Sequence, residues 1–499
     1  MAGRALILVE NLSVPFDRRV WQESTALRDA GWEVHVICPQ GTKRDTEPEA
    51  EIGGVKIHRY PLDAAVGGPV GYLREYSSAL WRTYRLARKV GRVDVVHSCN
   101  PPDLFFLLAK RLKRHGTRFV FDQHDLVPEL YLSRFGRGRD LLYRLVCWLE
   151  RRTYQAADIV IATNESYRDT AVNRGGKRPE DVFVVRSAPA IERFRQVPPD
   201  ESLRRRKPHL LCYLGVMGPQ DGVDYALRSL ASLRDDLGRT DWHAAFIGTG
   251  DTFEAMRALA ADLKLSGFVE FTGRVPDEDV VRCLSTADVC LSPDPLNPLN
   301  DVSTMNKVME YMAMGRPIVS FDLREARVSA GDAALYAPPN DELEFAKLVA
   351  RLLDDPRERR RMGEVGLARV GGPLSWEHSR AALVNAYAAA LAGRSGAGRS
   401  GAGRSGAGRA GQPAAGVASP DGGAAAAQPG QSPVEEQDRQ VAAAVERAHS
   451  PAADQAGEGV QLQPALRQGH AELRELPVSP PHAYPTVQVG GDGTGGSHQ

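Results

Sequence analysis

Lys307 and Glu310 are three residues apart at the predicted start of a helix, and their side chains suit a phosphate and a diol. A lysine ammonium attracts a phosphate by charge, and a carboxylate accepts hydrogen bonds from two neighbouring hydroxyls, such as those of a ribose. The same pair also fits a solvated i,i+3 ion pair on an amphipathic helix. These two residues alone favour neither interpretation, so the surrounding sequence has to decide.

The residues in front of this pair predict where the helix starts. Ser303 or Thr304 is expected to cap the helix, and Met305 and Asn306 follow the cap. The first turn of a helix presents unpaired backbone N–H groups and the positive end of the helix dipole, which together can hold an anion without a metal ion. A Gly-Arg-Pro sequence ends the helix before the apolar run 318–321, so loop, helix and strand form one α/β unit.

Short apolar runs alternate with longer helical patterns along most of the chain, as in parallel sheets with helical crossovers. The predicted strands of a first series are 5–9, 34–38, 55–60, 93–97, 119–121, 159–162 and 182–185. Those of a second series are 210–214, 244–247, 269–271, 289–291 and 318–321. Ligands of such sheets bind at the carboxyl ends of the strands, so we expect two α/β domains that enclose a cleft.

Composition divides the chain into five segments. Residues 1–190 form the first α/β domain, and 191–208, with a Pro-Pro pair and a basic run, form a linker. Residues 209–374 form the second α/β domain, and 375–392 form an Ala-rich closing helix. Residues 393–499 begin with a repeated Gly-Arg-Ser-Gly-Ala unit and are poor in apolar side chains, so we expect a disordered, low-complexity tail.

The overall composition narrows the possible functions. The chain of 499 residues has 63 basic and 63 acidic side chains, so no global positive field favours nucleic acid as a partner. The first apolar run, at 5–9, is too short for a signal peptide or a membrane span. The six cysteines are scattered without close pairs, which predicts reduced core residues in the cytoplasm.

Residues 307–317 read Lys-Val-Met-Glu-Tyr-Met-Ala-Met-Gly-Arg-Pro, which matches the family pattern Lys-x-x-Glu-hydrophobic-x-Ala-x-Gly-x-Pro. Through this motif and both α/β halves, residues 4–391 resemble a GT-B glycosyltransferase of the retaining, family-4-like group 1 class. The resemblance implies two Rossmann-like doubly wound domains that face a cleft, the first on the acceptor side and the second binding a nucleotide sugar. It also implies transfer of a hexosyl-type sugar with retention of configuration, without a metal or another cofactor.

His124 follows a predicted strand whose carboxyl end should face the cleft, and it matches the family's histidine at this place. In relatives that histidine contacts the reacting sugar. An imidazole can hydrogen-bond a sugar hydroxyl or accept a proton near neutral pH. A lone histidine is more often structural, but its acidic neighbours favour a functional role here, and Asp125 and Glu129 are the alternative general bases.

The loop after the first strand reads Asn-Leu-Ser-Val-Pro-Phe-Asp-Arg-Arg and replaces the Gly-Gly pair that many relatives have there. We assign its Asp17, Arg18 and Arg19 to the acceptor side. Either arginine could meet a phosphate, although arginines at helix starts are commonly surface residues. Asn100, in another loop at a strand end, is assigned to the same side on weaker grounds.

On the donor side, Gly215 and Gly218 occupy the place of the family's Gly-rich loop. Relatives usually carry a lysine on the donor pyrophosphate at the place of Asp221, which we expect to cap the following helix instead. Lys307 would then supply most of the positive charge for the donor pyrophosphate, aided by Arg274. The predicted donor site consists of Gly215, Gly218, Gly273, Arg274, Ser303, Thr304, Met305, Asn306, Lys307 and Glu310.

A second departure from the family concerns a pair of glutamates spaced eight residues apart. Glu310 matches the second glutamate, but Val302 stands at the place of the first, and Asp301 is one residue off. This departure leaves the identity of the donor sugar open.

Two other functions stay open. A nucleotide-sugar epimerase of the same fold would need acids and bases on both sides of the sugar. A non-catalytic scaffold is favoured by the two departures, but the intact His124, Lys307 and Glu310 argue against it. The resemblance implies a nucleotide-sugar donor and a glycan or lipid-linked acceptor, in polysaccharide or cell-surface glycan biosynthesis. The basic helix predicted at 81–92 fits either a peripheral contact with the inner face of an anionic membrane or an ordinary solvated face.

Overall fold

The computed structural model describes residues 2–41, 44–61, 68–135, 139–189, 191 and 193–397. The predicted tail lies outside the described residues from residue 398 onward.

A parallel sheet forms the centre of the first half. Its strands are β1 (Gly3–Leu8), β2 (Trp32–Pro39), β3 (Glu49–Ile52), β4 (Val55–Tyr60), β5 (Val95–Cys99), β6 (Arg118–Gln123), β7 (Ile159–Ala162) and β8 (Val182–Val184). They are arranged in the order β3-β4-β2-β1-β5-β6-β7-β8, and the pair β3–β4 at the edge is antiparallel. The helices of this half are α1 (Arg18–Asp29), α2 (Gly68–Val90), α3 (Phe106–Lys113), α4 (Val127–Phe135), α5 (Leu141–Ala156) and α6 (Glu165–Asn173).

The central strands are apolar on both faces because helices cover both sides of the sheet. In β1, Ala5 and Ile7 pack in one core, while Leu6 and Leu8 pack in the other. The same alternation places Asp122 of β6 on the face of Ala5 and Ile7, two residues from Val120, which also packs there.

The second half repeats this plan with a smaller sheet. Its strands are β9 (His209–Leu214), β10 (Trp242–Ile247), β11 (Val269–Gly273), β12 (Val289–Ser292), β13 (Ile318–Phe321) and β14 (Ala334–Ala337), in the order β11-β10-β9-β12-β13-β14. The helices are α7 (Val223–Asp235), α8 (Phe253–Asp262), α9 (Asp277–Thr286), α10 (Asn306–Ala313), α11 (Arg324–Ala330), α12 (Glu342–Asp354) and α13 (Pro356–Gly371). The predicted fold class, two parallel α/β sheets, is confirmed.

The last described helix, α14 (Trp376–Ala397), follows the second half in the chain but packs on the first. Its Leu383, Ala386 and Tyr387 are fully buried in the same core as Ile7. The last residues of this helix, 393–397, are also the first residues of the predicted tail.

Residues assigned to the linker 191–208 pack against the second half. Gln196 Nε2 donates to the carbonyl of Met314 at 2.7 Å, and the backbone N–H of Val197 donates to Ser285 Oγ at 3.0 Å. In the basic run, Arg205 Nη2 pairs with Glu270 at 2.9 Å. The basic run is therefore an ion-paired surface of the second half.

Candidate functional site

The start of α1 places two arginines beside the carboxyl edge of the first sheet. Asp17 caps the helix, because its Oδ1 accepts a hydrogen bond from the N–H of Val20 at 3.1 Å. Arg18 and Arg19 form the first turn, where the helix dipole disfavours a positive charge. Partner carboxylates must therefore hold both side chains. The carboxylate of Asp17, predicted on the acceptor side, serves as the cap.

Arg19 is held by buried carboxylates of the first half. Its Nη2 lies 2.8 Å from Asp122 Oδ1 and 3.0 Å from Glu23 Oε1, and its Nη1 donates to the carbonyl of Val185 at 2.8 Å. Both carboxylates are fully buried. Burial raises the pKa of Glu23 to about 8, whereas the Arg19 and His124 charges outweigh burial at Asp122 and hold its pKa well below the usual range.

His124 completes this cluster. Its Nε2 lies 2.6 Å from Asp122 Oδ2, and its backbone N–H donates to Asn100 Oδ1 at 2.7 Å. Burial lowers the pKa of the imidazole, but the Asp122 carboxylate outweighs burial, so the net pKa is raised. Asp122 occupies Nε2, which leaves Nδ1 of the half-buried ring for a substrate hydroxyl.

The loop that carries His124 is fixed by Asn100. Its side-chain oxygen also accepts from the N–H of Asp125 at 3.1 Å, and its Nδ2 donates to the carbonyl of Asp125 at 2.8 Å. Asn100 therefore shapes the loop rather than pointing outward to an acceptor. Glu129 pairs with Arg174, which also binds Glu150, so an ion pair already engages this alternative base.

Arg18 crosses to the second half. Its Nη1 lies 3.2 Å from Glu310 Oε1 on α10, and its Nη2 lies 3.7 Å from Asp277 on α9. Arg274 of the second half also contacts the first half, because its guanidinium lies 4.5 Å from the centre of the Phe16 ring. Because Arg18 and Arg19 are consecutive, one helix start reaches both Glu310 and the His124 cluster.

A cleft of about 280 Å³ lies between the two halves at this point. Residues of both halves line this cleft. Its lining includes Arg18, Arg19, Arg193, Asn306 and Glu310. Burial raises the pKa of Glu310, although Arg18 opposes the shift.

Lys307 is not among the residues that line this cleft, and its side chain lies inside the second half against Gly215 of the predicted donor loop. Its Nζ lies 2.5 Å from Asp294 Oδ1, and both side chains are buried. The ammonium also lies 5.4 Å from the centre of the Tyr213 ring. Burial lowers the pKa of Lys307, but Asp294, Tyr213 and Asp221 outweigh burial and raise it. Lys307 is therefore charged and already paired, whereas the sequence predicted an ammonium available for a phosphate.

The predicted donor loop lies against Lys307. A Cβ at Gly215 would lie 3.2 Å from Lys307 Cε, and a Cβ at Gly248 would overlap the carbonyl of Gly215 at 1.8 Å. Gly248 has a φ of +132°, so the close approach and the backbone conformation both require glycine here. The two Gly-containing turns after β9 and β10 are thus in contact.

The prediction that Asp221 caps α7 is wrong. Gly222, at a φ of +68°, is the N-cap and makes no side-chain hydrogen bond. Asp221 Oδ2 instead accepts from the N–H of Gly218 at 2.8 Å, which closes the loop. Asp224 pairs with Arg228 at 2.7 Å, so it does not form a capping box with Asp221.

The prediction that Ser303 or Thr304 caps α10 is also wrong. Met305 is the N-cap and makes no side-chain cap hydrogen bond. The Ser303 hydroxyl hydrogen-bonds Tyr167 of the first half at 2.9 Å, and the Thr304 hydroxyl donates to Glu325 at 3.2 Å. These hydroxyls therefore fix the loop before α10 to its surroundings.

Two predicted donor residues lie at the end of β11. Gly273 adopts a φ of +68°, and Arg274 follows it with an exposed side chain. Asp301, one residue from the family's first glutamate, accepts from the N–H of Arg324 at 2.9 Å. Its carboxylate therefore holds the start of α11.

The sequence interpretation missed five residues that organise the site, and most of them left a recognisable pattern. A polar side chain within an apolar strand is unusual. Glu23 is also four residues after Arg19 on a helix, which is a pairing distance. The five residues that the sequence interpretation missed are Glu23, His97, Asp122, Asp294 and Tyr387.

Two groups of side chains bring possible metal ligands within 4.8 Å of one another: His97, Cys99 and Asp122, and Glu23, Asp122 and His124. The guanidinium of Arg19 already supplies a positive charge to Glu23 and Asp122. A dication beside it would be repelled, so we assign no metal to either group.

Two family models match the chain. Residues 17–187 match a model described as "Glycosyl transferase 4-like domain", and residues 208–355 match one described as "Glycosyl transferases group 1". Together these ranges cover well over half of the chain.

Known glycosyltransferases are similar to this chain in sequence. An MMP alpha-(1->4)-mannosyltransferase of Mycolicibacterium hassiacum is 29% identical over 320 residues, which are 62% of this chain and 73% of that protein. An alpha-D-kanosaminyltransferase of Streptomyces kanamyceticus is 27% identical over 371 residues, which are 69% of this chain and 92% of the relative.

Solved structures share the fold at lower identity. Sucrose-phosphate synthase from Thermosynechococcus elongatus has a TM-score of 0.65 and 18% identity, covering 78% of this chain and 99% of its own. HepE of Anabaena, solved in complex with UDP and glucose, has a TM-score of 0.58 and 15% identity, covering 77% of this chain and 99% of its own.

Proposed function

This chain belongs to the group 1, family-4-like glycosyltransferases of the GT-B fold, and we propose that it transfers a hexosyl-type sugar from a nucleoside-diphosphate sugar to a hydroxyl acceptor with retention at the anomeric carbon. The family and the fold class predicted from the sequence are thereby confirmed.

The observation that carries the proposal is the pair of arginines at the start of α1. Arg18 contacts Glu310, the residue expected to bind the ribose, and Arg19 contacts the Asp122–His124 pair, expected at the sugar. Arg18, Arg19 and Glu310 line one cleft, which supports a transfer between two substrates bound side by side there.

The departing diphosphate gains negative charge during such a transfer, and the site has to stabilise this charge. The first turn of α10 offers N–H groups, and Lys307 lies inside the same turn with Asp294 as its partner. Oriented donors of this kind contribute roughly 3–4 kcal/mol each to transition states of other enzymes. We propose that α10 and Lys307 stabilise the diphosphate without a metal ion, and transfer in excess EDTA would test this.

His124 would orient the sugar rather than attack it. With Nε2 committed to Asp122, its Nδ1–H can donate to a sugar hydroxyl while the ring is protonated. The acceptor would attack from the side of the departing phosphate, which takes the acceptor proton. This front-face route gives retention without a protein nucleophile.

The relatives suggest the class of substrates. They include a mannosyltransferase, a kanosaminyltransferase and a GDP-mannose-dependent enzyme acting on a phosphatidylinositol mannoside. We propose a glycan or lipid-linked acceptor in cell-surface glycan synthesis. No helix among the described residues is long and apolar enough to cross a membrane. On α2, the exposed Trp81 with Arg85 above its ring suits peripheral contact at the inner face of the membrane.

Thermal unfolding with UDP-, GDP- and dTDP-sugars tests donor binding, because a ligand of the folded state raises the midpoint. We expect one base to stabilise the wild type and the effect to be lost in Lys307→Ala. Lys347→Ala, which removes an exposed lysine of the same half, is the control and should keep the effect. The absence of a shift with every donor would favour a non-catalytic scaffold, and a second sugar nucleotide formed without acceptor would reveal an epimerase.

A further inference from the structure

A chain of buried polar side chains leads from His124 to the closing helix α14. Asp122 lies between two histidines, with Oδ2 2.6 Å from Nε2 of His124 and 3.5 Å from Nε2 of His97. The other nitrogen of His97, Nδ1, lies 2.9 Å from the hydroxyl of Tyr387. Asp122, His97 and Tyr387 are fully buried. The outermost member of the His124 network therefore comes from α14.

The surroundings determine which nitrogen of His97 carries the proton. If Tyr387 donates to Nδ1, the Nε2–H of His97 points toward Asp122 and Glu23, whose oxygens lie 3.5 and 3.7 Å away. The other tautomer would aim a lone pair at an ionised carboxylate in a buried site, which is unfavourable. Asp122 thus favours the Nε2–H tautomer, and the Tyr387 hydroxyl satisfies the lone pair that this tautomer leaves on Nδ1 and strengthens the Nε2–H as a donor toward Asp122.

Titratable groups approach Asp122 and His124 from several elements. They are Asp17, Arg19 and Glu23 from α1 and its cap, His97 and Cys99 from β5, and Tyr387 from α14. Within this set, Tyr387 alone lies beyond the first half of the chain. The docking of α14 on the first half therefore contributes to the environment of Asp122.

We infer that Tyr387 is a positioning residue for His124, acting through His97 and Asp122 to keep the imidazole in the orientation that sugar transfer requires. The inference rests on the proposed function, since it gives Tyr387 a part in the same reaction. Tyr387 is fully buried and cannot reach a substrate itself. Correct docking of α14 on the first sheet becomes a condition for an oriented His124.

The first test needs no substrate. NMR of the full-length chain with labelled histidines follows the titration of His124 in the wild type, Tyr387→Phe and Tyr154→Phe. Tyr154 is equally buried but packs in the core on the other face of the first sheet. Because Tyr387→Phe weakens the His97 N–H that competes with His124 for the Asp122 charge, we expect the pKa of His124 to rise by roughly half a unit or more in Tyr387→Phe only. An unchanged titration in folded Tyr387→Phe overturns the inference.

His97→Gln supplies a second variant in case Tyr387→Phe folds poorly. A glutamine amide can still donate toward Asp122 but no longer depends on Tyr387. Adding Tyr387→Phe to His97→Gln should then leave the pKa of His124 unchanged. A further change in this pKa would show that Tyr387 acts by another route.

Kinetics provide the second test. We expect Tyr387→Phe to lower kcat about tenfold, the effect of losing one hydrogen bond in a charged network, with little change in the KM for the donor. The alkaline limb of kcat should move to higher pH with the pKa of His124. In the His124→Ala background the same change should cost nothing more, and equal losses in both backgrounds would overturn the inference. A wild type without transfer activity would refute the proposed function, while the NMR titration would still decide the role of Tyr387.

Discussion

At the scale of single residues, the site depends on which carboxylate each cation meets. Arg18 pairs with Glu310, while Lys307 pairs with buried Asp294. A buried charge is tolerated only when it is paired, so the fold itself requires Asp294 as the partner of Lys307, whereas Arg18 is exposed and its pairing belongs to the cleft. Donor phosphates would therefore share cations with protein carboxylates.

The His124–Asp122 pair predicts a pH dependence of stability. The pKa of His124 is raised above 6.5, so its ion pair stabilises the fold below this pH and is lost as the pH rises through the folded-state pKa. We expect the difference in unfolding free energy between wild type and His124→Gln to shrink above pH 6.5, by about 1.4 kcal/mol per unit of pKa shift. Denaturant titrations from pH 5 to 9 measure it, with His378→Gln at an exposed position as control. A difference that is constant with pH would refute the pairing.

The buried pair of Asp294 and Lys307 predicts a large loss of unfolding free energy when Asp294 is removed. Asp294→Ala would strand a buried ammonium, which costs about 3–5 kcal/mol in comparable buried pairs. Asp235→Ala, at an exposed position, should change stability by less than about 1 kcal/mol. Urea unfolding of both variants measures the contrast, and similar small losses would mean that Lys307 finds water or another partner.

The sequence allowed some of these residues to be predicted and not others. The spacing of Lys307 and Glu310 and the strand-end position of His124 were visible in the sequence, and the structure places Glu310 at the cleft. The pairing of Lys307 with Asp294 was not predictable, because both the distance across the loop and the burial depend on the packed sheet. Asp122 stood in the segment singled out for His124, but a single acidic residue does not reveal its partner.

At the scale of elements, repeated apolar runs made the parallel strands predictable, while two edge strands were missed. The strand β3 is polar and largely exposed, and β14 lacks the β-branched residues that favour strands. Both helix caps of the donor side were predicted wrongly. Ser303 and Asp221 are suitable capping residues locally, but tertiary partners, Tyr167 and the Gly218 N–H, take their side chains.

The helix α14 should contribute to the stability of the first half, although it follows the second half in the chain. Leu383 is fully buried in the first core, so Leu383→Ala should cost about 2–5 kcal/mol. Leu367→Ala, at an exposed position of α13, should have a small effect. Urea unfolding followed by fluorescence measures both, and an equally small loss in Leu383→Ala would show that α14 is loosely attached.

At the scale of the whole molecule, the two halves meet through polar contacts around the cleft. Arg18 with Glu310, Tyr167 with Ser303 and Arg186 with Glu325 all join the first half to the second. Interfaces of this polar kind permit relative motion of domains. Closure around both substrates would exclude water and limit hydrolysis of the donor.

The central claim is that this cleft transfers a sugar with retention, and the anomeric configuration of the product tests it most directly. The full-length chain is incubated with the donor identified by thermal unfolding and a panel of glycan and lipid-linked acceptors, and ¹H NMR assigns the new linkage. The account predicts a product with the anomeric configuration of the donor sugar, formed by the wild type and strongly reduced in His124→Ala. An inverted product, or an equally active His124→Ala variant, would contradict it.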